Sequence, residues 1–215
     1  MMTIASKFGA SVAGLVVLCI TIAGVAAAED NARGEVLFEL CAQCHKADAS
    51  GNEETGAPAI AGMAEWYVEA QLEKFRDGLR GRHFDDIAGM RMRPMALTLR
   101  GEGDIPAVAA YVAGLPPTQP EPSLTGGDPT KGEALYAPCI ACHGATGDGN
   151  QALYGAPLTH VSDWYLLRQL VNFRLGVRGT APGDSWGAMM RPMALTLTDE
   201  QAMKDVIAYI MTLAK

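Results

Sequence analysis

Cysteine is scarce in this 215-residue sequence, and none of it is available for a structural disulfide. Of the five cysteines, Cys19 lies in an apolar N-terminal stretch, and the other four lie in two pentapeptides at residues 41–45 and 139–143. Both pentapeptides have the pattern C-x-x-C-H, whose chemistry requires free thiols, so no pair of cysteines remains to be oxidised to a disulfide. A disulfide-stabilised fold is therefore excluded.

Basic residues are also in short supply. The sequence has 17 Lys and Arg against 24 Asp and Glu, a formal net charge of −7, which excludes a nucleic-acid binder. Residues 29–117 have 15 acidic and 9 basic side chains (net −6), whereas residues 118–215 have 9 and 7 (net −2). This acidity either favours a partner with a basic docking surface or only confers solubility.

The alternation of apolar and polar residues that is typical of strands is absent, and apolar residues recur instead at helical spacing. One stripe and its later counterpart are Val68, Leu72, Phe75, Leu79 and Leu166, Leu170, Phe173, Val177. These helices are predicted to end near Gly81 and Gly179. The last helix of the chain is predicted to start at a capping box of Thr198 and Gln201, and the equivalent earlier helix at Asp104. The sequence thus predicts an all-α fold.

The two pentapeptides share the pattern C-x-x-C-H, which is the attachment signal of covalent haem. The two thiols bond the haem vinyl groups, and the following histidine becomes an axial iron ligand. The residues in these roles are Cys41, Cys44 and His45 in the first motif and Cys139, Cys142 and His143 in the second. Thioredoxin-like redox sites and zinc sites also use C-x-x-C, but neither requires the histidine. The motifs therefore predict two haem c groups.

The second half of the chain repeats the first at an offset of 98 residues. Trp66-Tyr67 reappears as Trp164-Tyr165, and the octapeptide at 92–99 is repeated without change at 190–197. Only after the haem motif does the offset change to 99, where Gly-Ala-Pro at 56–58 matches Gly-Ala-Pro at 155–157. The chain is therefore interpreted as an internal duplication of one haem-binding unit.

The boundaries of the signal peptide, the two domains and the linker follow from the local amino-acid composition. Residues 1–28 are predicted to be a cleaved signal peptide, with a basic start, an apolar core and an A-x-A site, so we expect a periplasmic location. Two domains at 29–117 and 130–215 follow, each of a size at which a buried cofactor completes the core. The segment 118–129, rich in Pro and Gly, is predicted to be a linker.

Methionine is the expected sixth ligand of each iron, because His/Met ligation raises the potential of c-type haems. Met92 and Met190 each follow the motif histidine by 47 residues, in a segment with Gly and Pro that we interpret as a loop. Met95 and Met193 also correspond to each other at the offset of 98, so spacing alone does not decide which methionine pair binds the irons.

The haem propionates also need partners. Arg93 and Arg191 beside the methionines are candidates to neutralise them, with an exposed surface position as the alternative. The Trp-Tyr pairs at 66–67 and 164–165 are candidates to donate hydrogen bonds, with simple packing as the alternative.

The double motif, the duplication, the pattern W-Y-x-x-x-Q-L-x-x-F-R-x-G and the methionine segment before a terminal helix resemble the di-haem cytochrome c4 family over essentially the whole mature chain. The resemblance implies an all-α fold of two tandem class I cytochrome c domains. It selects Met92 and Met190 as iron ligands, seven residues before the leucine that opens the last helix. It also implies that a backbone carbonyl near Pro58 or Pro157 accepts the Nδ1 proton of each motif histidine.

We therefore predict a periplasmic electron carrier that passes single electrons between a respiratory donor and an acceptor such as a terminal oxidase. Its partners would be redox proteins, through which it could associate with the membrane surface. The alternatives are a catalytic di-haem enzyme of the thiosulfate dehydrogenase or peroxidase type, and a cytochrome subunit of a larger dehydrogenase. Such enzymes generally need an open or unusually ligated iron, for which no spare cysteine is present.

Overall fold

A computed structural model of the protein describes residues 31–213, and the regular structure in this range is helical. The α-helices are α1 (31–45), α2 (Glu65–Arg76), α3 (Ile87–Ala96), α4 (Asp104–Gly114), α5 (Pro129–Tyr136), α6 (Ile140–His143), α7 (Asp163–Leu175), α8 (Ser185–Leu195) and α9 (Glu200–Leu213). Short 3-10 helices span Ala137–Cys139 and Gln151–Leu153. None of the helices in this range is long and apolar enough to cross a membrane. The predicted signal peptide, with Cys19, lies outside the described residues.

Two helical units of the same design follow one another, unit 1 at residues 31–114 and unit 2 at residues 129–213. In each unit the first helix crosses the last at a glycine. The Cα of Gly34 lies against the backbone carbonyl of Ala107, and that of Gly132 lies against the carbonyl of Asp205. A Cβ at either glycine would collide with that carbonyl, so glycine is required for this close approach.

The first helix of the two units differs because of one residue. In unit 1, α1 continues without interruption through the haem motif to residue 45. In unit 2, Pro138 replaces Leu40, and the helix divides into α5, a 3-10 turn and α6. Proline lacks the N–H that would bond to the carbonyl four residues earlier, and its ring clashes with that carbonyl.

Each unit has its own apolar core, to which the predicted stripes contribute. The most buried side chains of unit 1 include Phe38, Leu72, Phe75, Val108 and Val112, and those of unit 2 include Tyr136, Leu166, Met203, Ile207 and Ile210. The striped helices α2 and α7 end earlier than predicted, at Arg76 and Leu175, because Gly78 and Gly176 adopt positive φ of 77°. Glycine is the residue that takes this conformation at a helix end without strain.

The methionine segments are helices, so their interpretation as loops was wrong. The side chains of Asp86 and Asp184 accept hydrogen bonds from Gly89 N and Gly187 N and thereby cap α3 and α8. The proline in each segment lies near the C-terminal end of its helix, where it removes only one hydrogen bond. The methionines consequently share a rigid element in each unit.

The predicted caps of the terminal helices were also wrong. Helix α9 begins at Glu200, and Asp199 Oδ1 accepts from Ala202 N at 2.8 Å, so a carboxylate rather than Thr198 caps it. Gln201 donates instead to the carbonyl of Gly126 at 2.6 Å. In unit 1, Asp104 is the first helical residue rather than the cap.

The backbone keeps the offset of 98 throughout, which corrects the change to 99 after the haem motif. Asn52 forms a β-bridge with Ala57, and Asn150 forms the same bridge with Gly155. Both Gly56 and its counterpart Tyr154 have positive φ, 76° and 51°. The Gly-Ala-Pro match at 99 is therefore a coincidence of sequence, and the structural counterpart of Pro58 is Ala156.

The segment between α4 and α5 has no regular structure but contacts both units. Pro117 packs against Gly62 of unit 1, while Ser123 N and Leu124 N each donate to Asp163 Oδ2 of unit 2 at 2.8 Å. These contacts, together with the stiffness of proline, hold the units in a defined relation.

Candidate functional site

A single continuous cavity of about 520 Å³ runs through both units and collects the predicted site residues. The motif residues that line it are Cys41, Cys44 and His45 of unit 1 and Cys139, Cys142 and His143 of unit 2. Because thiols and imidazole from both motifs face one space, the two clefts adjoin across the interface between the units.

Both methionine pairs line the same cavity. Met92 and Met95 of α3 and Met190 and Met193 of α8 are all partly buried there. Helical spacing of three residues puts both members of each pair on one face of the helix. The choice of Met92 and Met190 as iron ligands therefore stays a prediction.

The motif histidines are oriented by backbone carbonyls. His45 Nδ1 donates to Pro58 O at 2.9 Å, and His143 Nδ1 donates to Ala156 O at 2.8 Å, 13 residues after the histidine in both units. Burial lowers the pKa of both imidazoles, although these hydrogen bonds oppose the shift. The neutral tautomer with the proton on Nδ1 leaves the Nε2 lone pair free for iron. The resemblance placed this acceptor near Pro58 and Pro157, and it is Pro58 itself in unit 1 and the residue before Pro157 in unit 2.

The first cysteine of each motif lies in an apolar environment. Burial raises the pKa of Cys41 to about 11 and also raises that of Cys139. Cys44 is exposed and Cys142 is partly exposed. In unit 1 the first cysteine is therefore less exposed than the second, whereas both cysteines of unit 2 are partly exposed.

A ring of four polar side chains joins the two units beside the cavity. Arg80 donates to Gln71 at 2.7 Å within its own unit and to Gln169 at 3.3 Å across the interface. Arg178 does the reverse, with 2.8 Å to Gln169 and 3.0 Å to Gln71. Each arginine also lies over a phenylalanine ring of its own unit. The ring therefore follows the same twofold repeat as the haem motifs.

The two arginines provide a test of whether the cavity fits haem. Arg80 and Arg178 are only 6% and 9% exposed, and within residues 31–213 neither forms a salt bridge and the Nε of each lacks a hydrogen-bond partner. A buried cation without an anion is costly. Each haem has two propionates, and both guanidinium groups line the cavity. The residues fit two haem groups, since His45 and His143 would hold the irons and Arg80 and Arg178 would neutralise propionates.

Sequence reasoning missed these two arginines. Arg93 and Arg191, which it considered instead, do not line the cavity, and Arg191 Nε donates to Phe173 O at 3.4 Å. The sequence does contain a signal for them, because Arg80 and Arg178 correspond at the offset of 98 and each precedes a glycine. Of the aromatic pairs, Tyr165 approaches Arg80 at 3.4 Å, whereas Trp66 packs against Tyr154 of the other unit.

Charges at the interface do not follow the repeat. Lys74 of unit 1 pairs with Asp184 of unit 2 at 2.7 Å, and both side chains are largely buried. The counterpart of Lys74 is Asn172, which lies beside Asp86, so no second lysine is present. Arg168, whose counterpart is Ala70, lies near Asp86 and donates to Gly56 O at 2.7 Å. Asp184 is thus paired with Lys74, whereas its counterpart Asp86 has Arg168 nearby without a salt bridge to it.

Comparisons with known proteins agree with this geometry. The family model "Cytochrome c" matches residues 31–116 and again residues 129–214. The chain is 34% identical to the thiosulfate dehydrogenase electron acceptor of Stutzerimonas stutzeri (strain A1501) over 166 residues, which are 72% of each protein. It is 30% identical to cytochrome c4 of Azotobacter vinelandii over 216 residues, covering 90% of this chain and 94% of that one.

A solved structure shows the same arrangement of two units. The crystal structure of reduced recombinant cytochrome c4 from Pseudomonas stutzeri superposes with a TM-score of 0.65 at 25% identity, covering 84% of this chain and 97% of that chain. The predicted all-α fold with two tandem domains and two covalent haem groups is therefore confirmed. With two matches to the family model, one per haem motif, the chain belongs to the cytochrome c family, as a tandem di-haem member related to the cytochromes c4.

Proposed function

We propose that this di-haem cytochrome is a periplasmic carrier that accepts single electrons from a thiosulfate dehydrogenase and delivers them to a terminal oxidase. Electron transfer itself is the property of its family, and the donor is suggested by the name of the relative from Stutzerimonas stutzeri. The observation that best supports a carrier is the continuous cavity, in which the two haem clefts adjoin and each contains a histidine and methionines for a closed iron.

Haem iron supplies a reversible one-electron couple when it is bound, and the residues of the chain set its surroundings. His45 and His143 are held by carbonyls with Nε2 available to the metal. The apolar core residues around each cleft exclude water, which limits reorganisation when the charge changes. Arg80 and Arg178 supply buried positive charge that would pair with the haem propionates. No residue in this scheme needs to move or exchange a proton, as suits a carrier.

Electron exchange with defined partners tests the proposal. We expect the oxidised mature protein to be reduced rapidly by thiosulfate only when a thiosulfate dehydrogenase is added. The reduced protein should then be oxidised by membranes from the source cells and should bind carbon monoxide poorly near neutral pH. Thiosulfate or peroxide turnover by the protein alone, together with one haem that readily binds carbon monoxide, would show a catalytic di-haem enzyme instead.

The proposed location needs its own test. Fusion of residues 1–28 to a reporter that is active only after export should give activity, whereas the same reporter with Val16→Arg and Val17→Arg in the apolar core should not. Activity of both fusions, or of neither, would contradict export by this segment.

A further inference from the structure

The ion pair of Lys74 and Asp184 has a counterpart on the other side of the interface that lacks the cation. At the offset of 98, Asp184 corresponds to Asp86 and Lys74 corresponds to Asn172. Both aspartates are buried, and both cap a methionine-bearing helix. Lys74 Nζ lies 2.7 Å from Asp184, whereas Asp86 forms no salt bridge within residues 31–213. The duplicate therefore shows an ammonium group bound to one aspartate, and the other aspartate is present without it.

A pocket of about 270 Å³ lies beside the unpaired aspartate, at the interface between the units. Its lining includes the buried Asp86 and Asn172 and three exposed carboxylates, Glu53, Glu54 and Asp85. We call this space the interface pocket. Four of these five residues, all but Asp86, do not line the haem cavity, so the interface pocket is a space of its own.

Asn172 is the member of this lining that indicates a ligand. Its side chain is only 9% exposed, and among residues 31–213 its amide has no hydrogen-bond partner. Buried amides in folded proteins are normally hydrogen-bonded, because the loss of water is otherwise not compensated. A ligand with N–H groups in the interface pocket would donate to the amide oxygen of Asn172.

The two arginines of the lining are engaged with other groups. Arg168 donates to Gly56 O at 2.7 Å, and its guanidinium lies 4.9 Å from the centre of the Trp164 ring. Arg91 donates to Thr55 O at a long 3.5 Å. Within the described part of the chain, neither arginine forms a salt bridge with a carboxylate of the interface pocket. The carboxylates there consequently remain available to a cation from outside.

The charge and size of the interface pocket limit the class of ligand. Its lining has four carboxylates and two guanidinium groups, a net charge of −2, which favours a cation. Across residues 31–213 no three acidic, histidine or cysteine side chains are placed to hold a metal ion. The volume is below the range of about 300–1,000 Å³ that is usual for drug-sized ligands. Two ammonium groups on a short chain match this small, spread negative charge better than a metal ion does.

We propose that the interface pocket binds a small organic diammonium, with one ammonium group on Asp86 in the way that Lys74 Nζ binds Asp184. The ligand contacts both units, because Asn172 and Arg168 belong to α7 and the carboxylates belong to unit 1. It thereby stabilises this side of the interface as the lysine does on the other side. Free diamines and lysine side chains of another protein share this chemistry, and the experiment distinguishes them.

Isothermal titration calorimetry of the mature protein with both haems tests the site, with putrescine as the probe at constant ionic strength. We expect one saturable site per protein. Butylamine should bind at least tenfold more weakly, because its single ammonium leaves the exposed carboxylates unpaired. Mg²⁺ at the same concentration should not compete. A lack of saturable putrescine binding, or binding of Mg²⁺ that is equally tight, would overturn the proposal.

Asn172→Lys is the most direct variant, because it places in the interface pocket the residue that Lys74 provides on the other side. Putrescine binding should then be lost. Asp86→Asn keeps a capping side chain for α3 and should weaken binding at least tenfold. Glu35→Gln, an exposed carboxylate of unit 1 outside the interface pocket, is the matched control and should bind like the wild type.

Two attached haems and an unchanged circular dichroism spectrum show that a variant is intact, and if one pocket variant does not fold, the other decides. Unchanged binding in the intact pocket variants, or an equal loss in the control, contradicts the site. Saturating putrescine should also raise the Tm of the wild type but not that of Asn172→Lys, since a ligand of the folded state stabilises it. Equal shifts in both proteins would argue against the interface pocket.

The source of the ammonium groups is decided by a second probe, the peptide acetyl-Lys-Ala-Lys-amide. If the peptide binds more tightly than putrescine and is lost in Asn172→Lys, the site receives lysines of a protein; if putrescine binds more tightly, the site receives a free diamine. Either result supports an ammonium site, and failure of both probes overturns it. None of these measurements needs an electron donor or acceptor, so a failure here is distinguishable from a failure of the carrier function.

Discussion

Units 1 and 2 are alike inside and different outside. Both orient a histidine with a carbonyl 13 residues later, both contribute one arginine and one glutamine to the shared ring, and both close the core with a glycine at a helix crossing. In the lining of the cleft and along the interface they differ, with Arg91 against Met189 and Lys74 against Asn172. The duplication has therefore preserved the residues that orient the motif histidines and form the arginine ring. The residues at the cleft lining and at the interface between the units have diverged.

The largest expected effect is the loss of one covalent haem when the two motif cysteines of one unit are replaced. Cys41→Ala with Cys44→Ala should leave a protein with one covalent haem, and Cys139→Ala with Cys142→Ala should do the same for the other unit, because the attachments are local to each motif. The haem-to-protein ratio after denaturation measures this. Unit 2 should lose more helix by circular dichroism, since Pro138 already interrupts its first helix. Retention of two covalent haems in either variant would contradict the assignment.

Substitution of the methionines tests whether the two units bind their irons in the same way. Met92→Ala or Met190→Ala should each remove about half of the weak red absorption band of Met–iron bonding in the oxidised protein. Met95→Ala and Met193→Ala, on the same helices, are the matched controls. Loss of the band in the control variants would move the assignment by three residues.

The Lys74–Asp184 pair, the one salt bridge between the units within residues 31–213, should stabilise only one side of the interface. Lys74→Met leaves Asp184 buried without its cation, and breaking a buried pair in this way costs about 3 kcal/mol of the free energy of unfolding. Asn172→Met, at the equivalent position, removes no charge and should cost clearly less. Urea denaturation of both variants measures the difference, and equal losses would show that the pair is not what stabilises this side.

The arginine ring should act on both haems alike. Arg80→Leu or Arg178→Leu removes a buried cation, so the oxidised form becomes easier to retain and the reduction potential should fall, by on the order of 60 mV for a tenfold change in a one-electron couple. Spectroelectrochemical titration of each variant measures this. Arg93→Leu, outside the cavity, is the control, and an equal fall there would contradict the role of the ring.

A small effect of pH on stability is expected from one carboxylate of unit 2, Asp205. Hydrogen bonds from Asp128 N and Gln201 lower the pKa of Asp205, whose counterpart in unit 1 is Ala107. A carboxylate with a lowered folded-state pKa stabilises the fold above its unfolded pKa, and that contribution is lost as the pH falls through the folded value. The difference in stability between wild type and Asp205→Asn should therefore shrink from about pH 5 downward. Glu121→Gln in the linker is the control for the loss of one acidic side chain.

Local patterns were predicted well and contacts between distant residues were not. The haem motifs are five contiguous residues, and the stripes of α2 and α7 follow from helical periodicity, so both could be recognised without a fold. Gly and Pro in the methionine segment predict a loop because they are usually helix breakers, but the caps at Asp86 and Asp184 outweigh them. Arg93 and Arg191, for which an exposed position was the alternative, do not line the cavity, because proximity in sequence to a ligand does not determine which side chain faces it.

The sequence by itself determined that the chain is a duplication with two covalent haems, since attachment chemistry and repetition are written in neighbouring residues at a constant offset. Only the tertiary structure decided that the two clefts form one cavity, that Arg80 and Arg178 bond to glutamines of both units, and that the Gly-Ala-Pro match does not mark the structural register. These features depend on which surfaces meet when residues about 100 positions apart pack together. Such a meeting is set by the shape and burial of whole helices rather than by any local pattern.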